Sequence, residues 1–221
     1  MNAFHADSEP LLSTFQHEVQ VCSEKIDAGE LTAVVYLQRG IAHARLGNLS
    51  QAVDDLSQSI GLAPEGLEAY AQRAHLYELT NLQAQAIEDW KRVVELAPNH
   101  HQAHLRLGDI HLQRQDYLAS IAAYTRALLL DATLWESYRN RALARGGAHD
   151  VEGAIQDYTL AIELEPQRGE LWAGRGSMYL ADQDRAAAIA DFNKALSLYR
   201  ESGHPAAAED VLSWIESPPI D

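Results

Sequence analysis

A proline recurs in this chain at a spacing of 34 residues. Pro64 and Pro98 are one step of 34 apart, and Pro166 lies two further steps along, with Ala132 in the intervening place. Self-similarity at this period is typical of arrays of helix-turn-helix units, each too small to bury its own apolar face and obliged to stack on neighbours. The period therefore predicts one elongated all-α domain, a solenoid of antiparallel helix pairs.

Small and bulky residues follow the same period. Counting in steps of 34 from Ala33 gives five frames, 33–66, 67–100, 101–134, 135–168 and 169–202. Small residues at positions 8 and 20 let the two helices of a frame approach closely. They are Gly40, Ala74, Gly108, Ala142, Gly176 and Ala52, Ala86, Ser120, Ala154, Ala188. The bulky residues at positions 4 and 24 are predicted to fill the core. They are Tyr36, Tyr70, His104, Tyr138, Trp172 and Leu56, Trp90, Tyr124, Tyr158, Phe192.

This pattern resembles the tetratricopeptide repeat family over residues 33–200. The resemblance is clearest in the second and fifth frames, at Tyr70, Ala74, Tyr77, Ala86, Trp90, Leu96, Pro98 and at Trp172, Gly176, Tyr179, Ala188, Phe192, Ala195. It implies a right-handed superhelix whose first helices line a concave groove that binds peptides or protein segments.

The resemblance also implies which side chains face the groove. Position 6, where the family often places an amide that holds the ligand backbone, reads Gln38, Gln72, Arg106, Asn140 and Gly174. Leu37, Ile41 and Leu105 beside it are apolar, and His75, Asp109 and Arg139 are polar or charged. The family's clamp for two carboxylates would need lysines and asparagines where Leu37, Ile41, Gln72 and Gln102 stand; because only Arg106 fits, binding of chaperone tails is rejected.

Two helices are expected outside the frames. In 1–32, the stretch Pro10–Ala28 places Leu12, Phe15, Val19, Cys22 and Ile26 on one face, which should cap the first frame. In 203–221, the stretch Pro205–Glu216 places Ala208, Val211, Leu212 and Ile215 toward the last frame and leaves Glu209, Asp210 and Glu216 in water. If this second helix left the last frame uncovered, that face could stack on a second copy.

An arginine series at position 7 runs beside an aspartate series at position 23. The members are Arg39, Arg73, Arg141, Arg175 and Asp55, Asp89, Asp157, Asp191; the third frame replaces both, with Leu107 and Ala123. Because both charges disappear together, we expect an Arg–Asp contact between the two helices of a frame. The alternative is a strip of arginines that binds acidic ligands.

Local signals predict where helices begin and end. Asn48, Asp116, Asp150 and Asp184 are expected to cap the second helices, with Asn81 displaced by one residue in the second frame. Two adjacent glycines in a helix cost about 2 kcal/mol relative to alanine, so Gly146 and Gly147 are expected to end their helix a turn early. A flexible point there is the alternative.

The charge limits the class of partner. The sequence has 17 Lys and Arg and 32 Asp and Glu, which gives a net charge of −15. This charge disfavours nucleic acid as a partner and suits a basic peptide or protein surface. The acidity also keeps a long helical surface soluble. Cys22 is the only cysteine, so no intrachain disulfide can form, and a reducing, cytoplasmic location is expected. No apolar run approaches the roughly 20 residues of a membrane span.

Chemistry is sparse. His100, His101 and His104 form a cluster that could hold a metal, but His104 occupies an aromatic packing position. No Gly-rich phosphate loop and no HExxH motif is present. We therefore predict a non-catalytic adaptor without cofactor or metal that binds a protein or peptide in its groove. The alternatives are a dedicated chaperone for a secreted or assembled client, and a metal-dependent enzyme that uses the histidine cluster.

Overall fold

The computed structural model describes residues 9–216, which form twelve helices and no strand. The helices are α1 (Glu9–Asp27), α2 (Ala33–Arg45), α3 (Leu49–Leu62), α4 (Leu67–Leu79), α5 (Gln83–Leu96), α6 (His101–Gln113), α7 (Tyr117–Leu130), α8 (Trp135–Gly147), α9 (Val151–Leu164), α10 (Gly169–Ala181), α11 (Arg185–Glu201) and α12 (Pro205–Glu216). The predicted all-α helical repeat fold is confirmed. None of these helices is long and apolar enough to cross a membrane.

Two compact units divide the chain, Met1–Ala103 and His104–Asp221, and are called the N-terminal and the C-terminal unit. In the N-terminal unit α2 and α3 are antiparallel, because Ser59 Oγ donates to the carbonyl of Ala33 at 2.8 Å while Gly40 lies against Ala52 and Leu56. A methyl group on Gly40 would stand 3.0 Å from Leu56 and 3.2 Å from the Ala52 carbonyl. The small residue at position 8 is therefore what permits this approach.

The C-terminal unit repeats the same packing and closes with a helix. A methyl group on Gly176 would lie 2.7 Å from the Phe192 ring, so between α10 and α11 the small residue at position 8 also makes room for the bulky residue at position 24, a contact that the sequence did not predict. Helix α12 buries Ala208 and Val211 against α11, and Trp214 pairs with Phe192 at a centroid distance of 5.5 Å. The face of α11 that could have stacked on a second copy is thus covered by α12.

The predicted Arg–Asp contacts are present in the four frames that carry both residues. Each guanidinium is bidentate: Nε and one terminal nitrogen donate to the two carboxylate oxygens at 2.6 to 2.9 Å. The aspartates are buried, down to 1% exposure at Asp157. An aromatic ring at position 4 lies under each guanidinium, at 5.1 Å for Arg175 over Trp172. The arginine series is structural.

A hydroxyl completes each of these contacts. The remaining terminal nitrogen of the four arginines donates to a Ser or Thr that stands 16 residues earlier, on the helix before: Ser23, Ser57, Thr125 and Thr159. Helix α1 supplies Ser23 and so acts as the second helix of a preceding repeat. Each arginine therefore joins three consecutive helices, and we call the set the Arg–Asp–hydroxyl triads.

The turns between the two helices of each frame share one backbone conformation. Position 15 has positive φ in all five frames, at Gly47, Asn81, Gln115, His149 and Gln183, with φ from 58° to 78°. The next amide bonds back to the carbonyl five residues earlier, as in Asp116 N to His111 O at 2.8 Å. This closes the first helix with a Schellman motif, which favours glycine or asparagine at the left-handed residue.

The glycine pair in α8 does not end the helix early, which corrects the expectation for Gly146 and Gly147. Helix α8 runs to Gly147 and is as long as α2, α4 and α10. A methyl group on Gly147 would overlap the Tyr117 ring of α7, and one on Gly146 would lie 3.0 Å from Met178 Sδ of α10. Close packing by both neighbouring helices explains the glycines.

The predicted helix caps are confirmed only in part. Asp150 and Asp184 accept hydrogen bonds from Gly153 N and Ala187 N at 3.0 Å, whereas Asn48 and Asp116 cap no amide with their side chains. Asp116 instead accepts from Arg114 Nε at 3.1 Å, and Asn48 contacts His43. In α1, Cys22 is buried as expected, but Leu12 is 43% exposed.

The triads predict strong coupling between Arg73 and Asp89. Removing one partner strands a buried charge, so Arg73→Leu or Asp89→Ala alone should each cost about 3–5 kcal/mol of unfolding free energy, and the double variant far less than the sum. The double variant reproduces the Leu107 and Ala123 combination found in the third frame. Urea unfolding of the wild type, the two single variants and the double variant measures the coupling.

Lys91 and Glu88, an exposed pair at 3.2 Å, are the control and should couple by less than about 1 kcal/mol. Additive effects at Arg73 and Asp89 would contradict the triad.

The glycine packing predicts opposite outcomes for two Gly→Ala substitutions. In α3 nothing lies within 4 Å of a methyl group on Gly61, so Gly61→Ala should stabilise the protein by up to about 1 kcal/mol through helix propensity. Gly147→Ala should destabilise it by about 1–3 kcal/mol, because the Tyr117 ring must move. Thermal unfolding of both variants tests this, and stabilisation by Gly147→Ala would refute the packing explanation.

Candidate functional site

In the N-terminal unit, the predicted groove residues of α2 share one face of the helix with Val34. Val34 on this face is 60% exposed, Gln38 is exposed, and Leu37 and Ile41 are half-buried. Leu37 packs partly against the core of Ala52, Leu56, Ala69 and Leu76, so it is both a core and a surface residue. The spacing of these four residues leaves one continuous, largely apolar strip along α2.

A cavity of about 410 Å³ adjoins this strip between α1 and α2. Gln38 and Ile41 line it from α2, and the residues that line it from α1 are His17, Glu18, Val21, Cys22 and Lys25. Burial raises the pKa of the Cys22 thiol, although the charges of Lys25 and Arg39 oppose this. The cavity thus combines the apolar side chains of Val21, Cys22 and Ile41 with polar and charged ones.

Helix α4 carries the other two predicted groove residues of this unit and contacts α2 directly. Gln72 donates through Nε2 to Glu68 Oε1 at 2.6 Å, one turn earlier on the same helix, and His75 is exposed. The amide oxygen of Gln72 can therefore still accept a hydrogen bond from a ligand.

In the C-terminal unit, three of the five predicted groove residues form one hydrogen-bonded network. Asp109 Oδ1 accepts from the Tyr124 hydroxyl at 2.5 Å and from Asn140 Nδ2 at 3.3 Å. Asn140 Oδ1 in turn accepts from Arg139 Nε at 3.1 Å. The amide of Asn140 is thus engaged by the protein itself at both ends. Leu105 and Arg106 are half-buried on the same helix as Asp109.

The corresponding place one frame later is arranged differently. Tyr158, at position 24 of the fourth frame, is 3% exposed, and a methyl group on Gly174 would lie 2.7 Å from its hydroxyl oxygen. Where Tyr124 meets Asp109 and Asn140, the same positions around Tyr158 hold Leu143 and Gly174. No carboxylate or amide side chain from these positions reaches the second hydroxyl.

Burial controls the ionisation of both tyrosines. It raises the pKa of Tyr158 to about 12, and the positive charge of Arg139 offsets a smaller part of that shift. Burial and the hydrogen bond to Asp109 raise the pKa of Tyr124 as well. Both hydroxyls are therefore protonated at neutral pH and act as hydrogen-bond donors.

The histidines do not assemble a metal centre. Among residues 9–216, no three His, Cys, Asp or Glu side chains come together in a way that could hold an ion. His100 Nδ1 accepts from Ala103 N at 3.1 Å, which places it at the start of α6, and His104 is buried at its packing position. The metal-dependent alternative thus finds no support in the described part of the chain.

The hydroxyls of Tyr124 and Tyr158 were missed by the sequence reasoning, which assigned both residues only to the core. A signal was present: tyrosine occupies position 24 in the third and fourth frames alone, and Asp109 and Asn140 occur only beside the first of them. Such joint occurrence is the same kind of evidence that predicted the Arg–Asp pairs.

Comparison with known proteins finds matches among family models and among solved structures. A family model described as tetratricopeptide repeat matches residues 83–134 and 139–203, and a second of the same description matches 33–65. Similar solved structures include a MamA protein, at 22% identity and TM-score 0.73 over 77% of this chain and 93% of that one. A MamA from Desulfovibrio magneticus RS-1 matches at 21% identity and TM-score 0.70 over 76% and 96%. YrrB, described as a TPR protein with an unusual peptide-binding site, matches at 14% and 0.76 over 87% and 99%.

The raised pKa of Tyr158 predicts a loss of stability at high pH. Between its ordinary value of 10.0 and about 12, the unfolded chain releases the phenolic proton while the folded protein keeps it, so ionisation favours unfolding. Across this interval the unfolding free energy should fall more steeply in the wild type than in Tyr158→Phe, by up to about 1.4 kcal/mol per pH unit. Urea unfolding at several pH values measures the difference; equal slopes would be incompatible with a buried, protonated Tyr158.

Proposed function

Because this chain belongs to the tetratricopeptide repeat family, we propose that it is a non-catalytic adaptor that binds a peptide or a segment of another protein. The proposed binding surface is the exposed face of the first helices of the repeats, which in the N-terminal unit comprises Leu37, Gln38, Ile41, Gln72 and His75. In the C-terminal unit it comprises Leu105, Arg106, Asp109, Arg139 and Asn140. The five frames and the two flanking helices are proposed to serve as one array.

The observation that carries this proposal is the strip on α2 beside the cavity between α1 and α2. Val34 is 60% exposed, and Ile41 and Gln38 border about 410 Å³ of open volume. A groove that combines apolar side chains with an amide suits an extended peptide, since the side chains of the ligand fill the apolar part and its backbone pairs with the amide. The description of YrrB as a peptide-binding TPR protein supports the same class of ligand.

The charge of the chain bears on the character of the partner. At −15 overall, the protein attracts a positively charged segment over a distance of about 8–10 Å at physiological ionic strength. We therefore propose that the bound segment is basic on balance. This long-range attraction raises the rate of association and leaves the specific contacts to the groove.

The proposal predicts that changes on the α2 face remove partners selectively. The variant Gln38→Ala with Ile41→Glu should lose, by at least about tenfold, the proteins that the wild type retains from its native cell, because a charge enters the apolar strip. Gln58→Glu on the exposed side of α3 makes the same change of charge and is the control, which should retain them. Quantitative mass spectrometry after affinity purification provides the measurement.

Circular dichroism checks that both variants fold. Recovery of the same partners by the groove variant and by the wild type would show that the segment binds elsewhere, and the proposed surface would be wrong.

A further inference from the structure

Within the part of the chain that the structure describes, the hydroxyl of Tyr158 has no hydrogen-bond partner. The residue is nevertheless only 3% exposed. The oxygen is not sealed from solvent, since the one fully buried atom without a partner in this part of the chain is His101 Nε2. A nearly buried donor that opens onto the groove side of Gly174 is positioned to meet an acceptor from outside.

The hydroxyl of Tyr124 shows which kind of group accepts such a hydrogen bond when the acceptor comes from the protein itself. Its acceptor is the carboxylate of Asp109 at 2.5 Å, and Asn140 holds that carboxylate from the next first helix. At Tyr158 the carboxylate position is occupied by Leu143 and the amide position by Gly174. Both side chains are therefore missing at the second tyrosine, and the Tyr158 ring and hydroxyl lie against Gly174 where a side chain would begin.

Arg139 adds a cation whose charge acts on Tyr158. Unlike Arg39, Arg73, Arg141 and Arg175, it forms no ion pair within the described residues, and its only hydrogen bond there is from Nε to Asn140. That bond fixes the plane of the guanidinium and leaves its terminal nitrogens available. The charge of Arg139 also acts on Tyr158, whose pKa it lowers against the larger effect of burial.

We propose that Tyr158, Arg139 and the bare backbone at Gly174 form a subsite for a single carboxylate of the bound peptide. The carboxylate accepts from the Tyr158 hydroxyl as Asp109 accepts from Tyr124, and it pairs with the terminal nitrogens of Arg139. Because Gly174 has no side chain, the Tyr158 hydroxyl reaches the position where the side chain at position 6 would begin. This inference rests on the proposed function, because it assigns one group of a peptide that the groove binds.

A carboxylate is compatible with a partner that is basic on balance. Long-range attraction depends on the total charge of the segment, whereas the subsite recognises one group at contact distance. Either an Asp or Glu side chain or the C-terminal carboxylate of the partner provides the required chemistry.

Peptide selection tests the subsite. Random decapeptides displayed with free C-termini are selected on the wild type, and the enriched sequences are synthesised as acids, as C-terminal amides and with Glu→Gln or Asp→Asn replacements. One carboxylate in each peptide should be required, and its removal should weaken binding to the wild type about tenfold or more. Tyr158→Phe and Arg139→Gln should bind the parent peptides less tightly and should no longer distinguish acid from amide.

Two features of the chain make the variants interpretable. Phenylalanine already occupies position 24 in the fifth frame, at Phe192, so Tyr158→Phe removes only a hydroxyl. Tyr124→Phe removes a hydroxyl whose acceptor is internal and should leave the discrimination between acid and amide unchanged.

The outcomes separate the two proposals. If the wild type binds peptides that need no carboxylate, or if Tyr158→Phe keeps the discrimination, the subsite is refuted while groove binding stands. If no peptide binds the wild type, both are refuted. Loss of discrimination in Tyr158→Phe but not in Tyr124→Phe supports the subsite, and the acid and amide forms show which end of the peptide supplies the carboxylate.

Discussion

The fold depends on a half-buried guanidinium that three consecutive helices share. In four frames an arginine on the first helix holds an aspartate 16 residues later and a hydroxyl 16 residues earlier, while an aromatic ring covers its face. A planar cation with fixed donors suits this role because its geometry defines the register between helices as well as their attraction. In the third frame all members of this arrangement are replaced together. It lacks the arginine and the aspartate, has His104 in the aromatic position, and is preceded by Lys91 where a hydroxyl would stand. The boundary between the two compact units falls within it.

This internal arrangement leaves the first-helix faces free to differ from one repeat to the next. On α2 the face is an apolar strip beside a cavity, whereas on α8 it is a network of polar groups in which Asn140 is already engaged. Specificity therefore has to come from different chemistry at each step along the array. The pair of tyrosines illustrates this: the same side chain is satisfied internally at Tyr124 and left to an outside acceptor at Tyr158. A few groups contribute most of the binding energy of such a surface. A polar residue that is already hydrogen-bonded within the protein contributes mainly to the shape of the surface, whereas a donor without an internal partner can form a new hydrogen bond with the ligand.

The scaffold was predictable from the sequence because its determinants recur. The period of 34, the small residues at positions 8 and 20, and the joint loss of Arg and Asp at Leu107 and Ala123 identified the helix pairs and their ion pairs. The hydroxyl partner was missed, because it is Ser for the first two arginines and Thr for the last two, and the first of them, Ser23, lies outside the frames. The prediction for Gly146 and Gly147 was wrong for another reason. Helix propensity is a local quantity, whereas these glycines are explained by the close packing of Tyr117 and Met178 from other helices. The left-handed turns at Gln115, His149 and Gln183 were also missed, since the Schellman motif that closes each first helix imposes a conformation that these residues seldom adopt. Groove residues could be predicted to share a face but not to form a network, because the combination of Asp109 with an amide at position 6 of the next frame occurs only once in the chain.

Photo-cross-linking tests the central claim, that the first-helix faces hold the ligand, most directly. A selected peptide that carries a benzoylphenylalanine at each position in turn is irradiated with the wild-type protein, and the linked residues are identified by mass spectrometry. The account predicts cross-links to the first helices α2, α4, α6, α8 and α10, with the required carboxylate of the peptide near Gly174. Cross-links confined to the outward sides of α3, α5, α9 and α11 would contradict it.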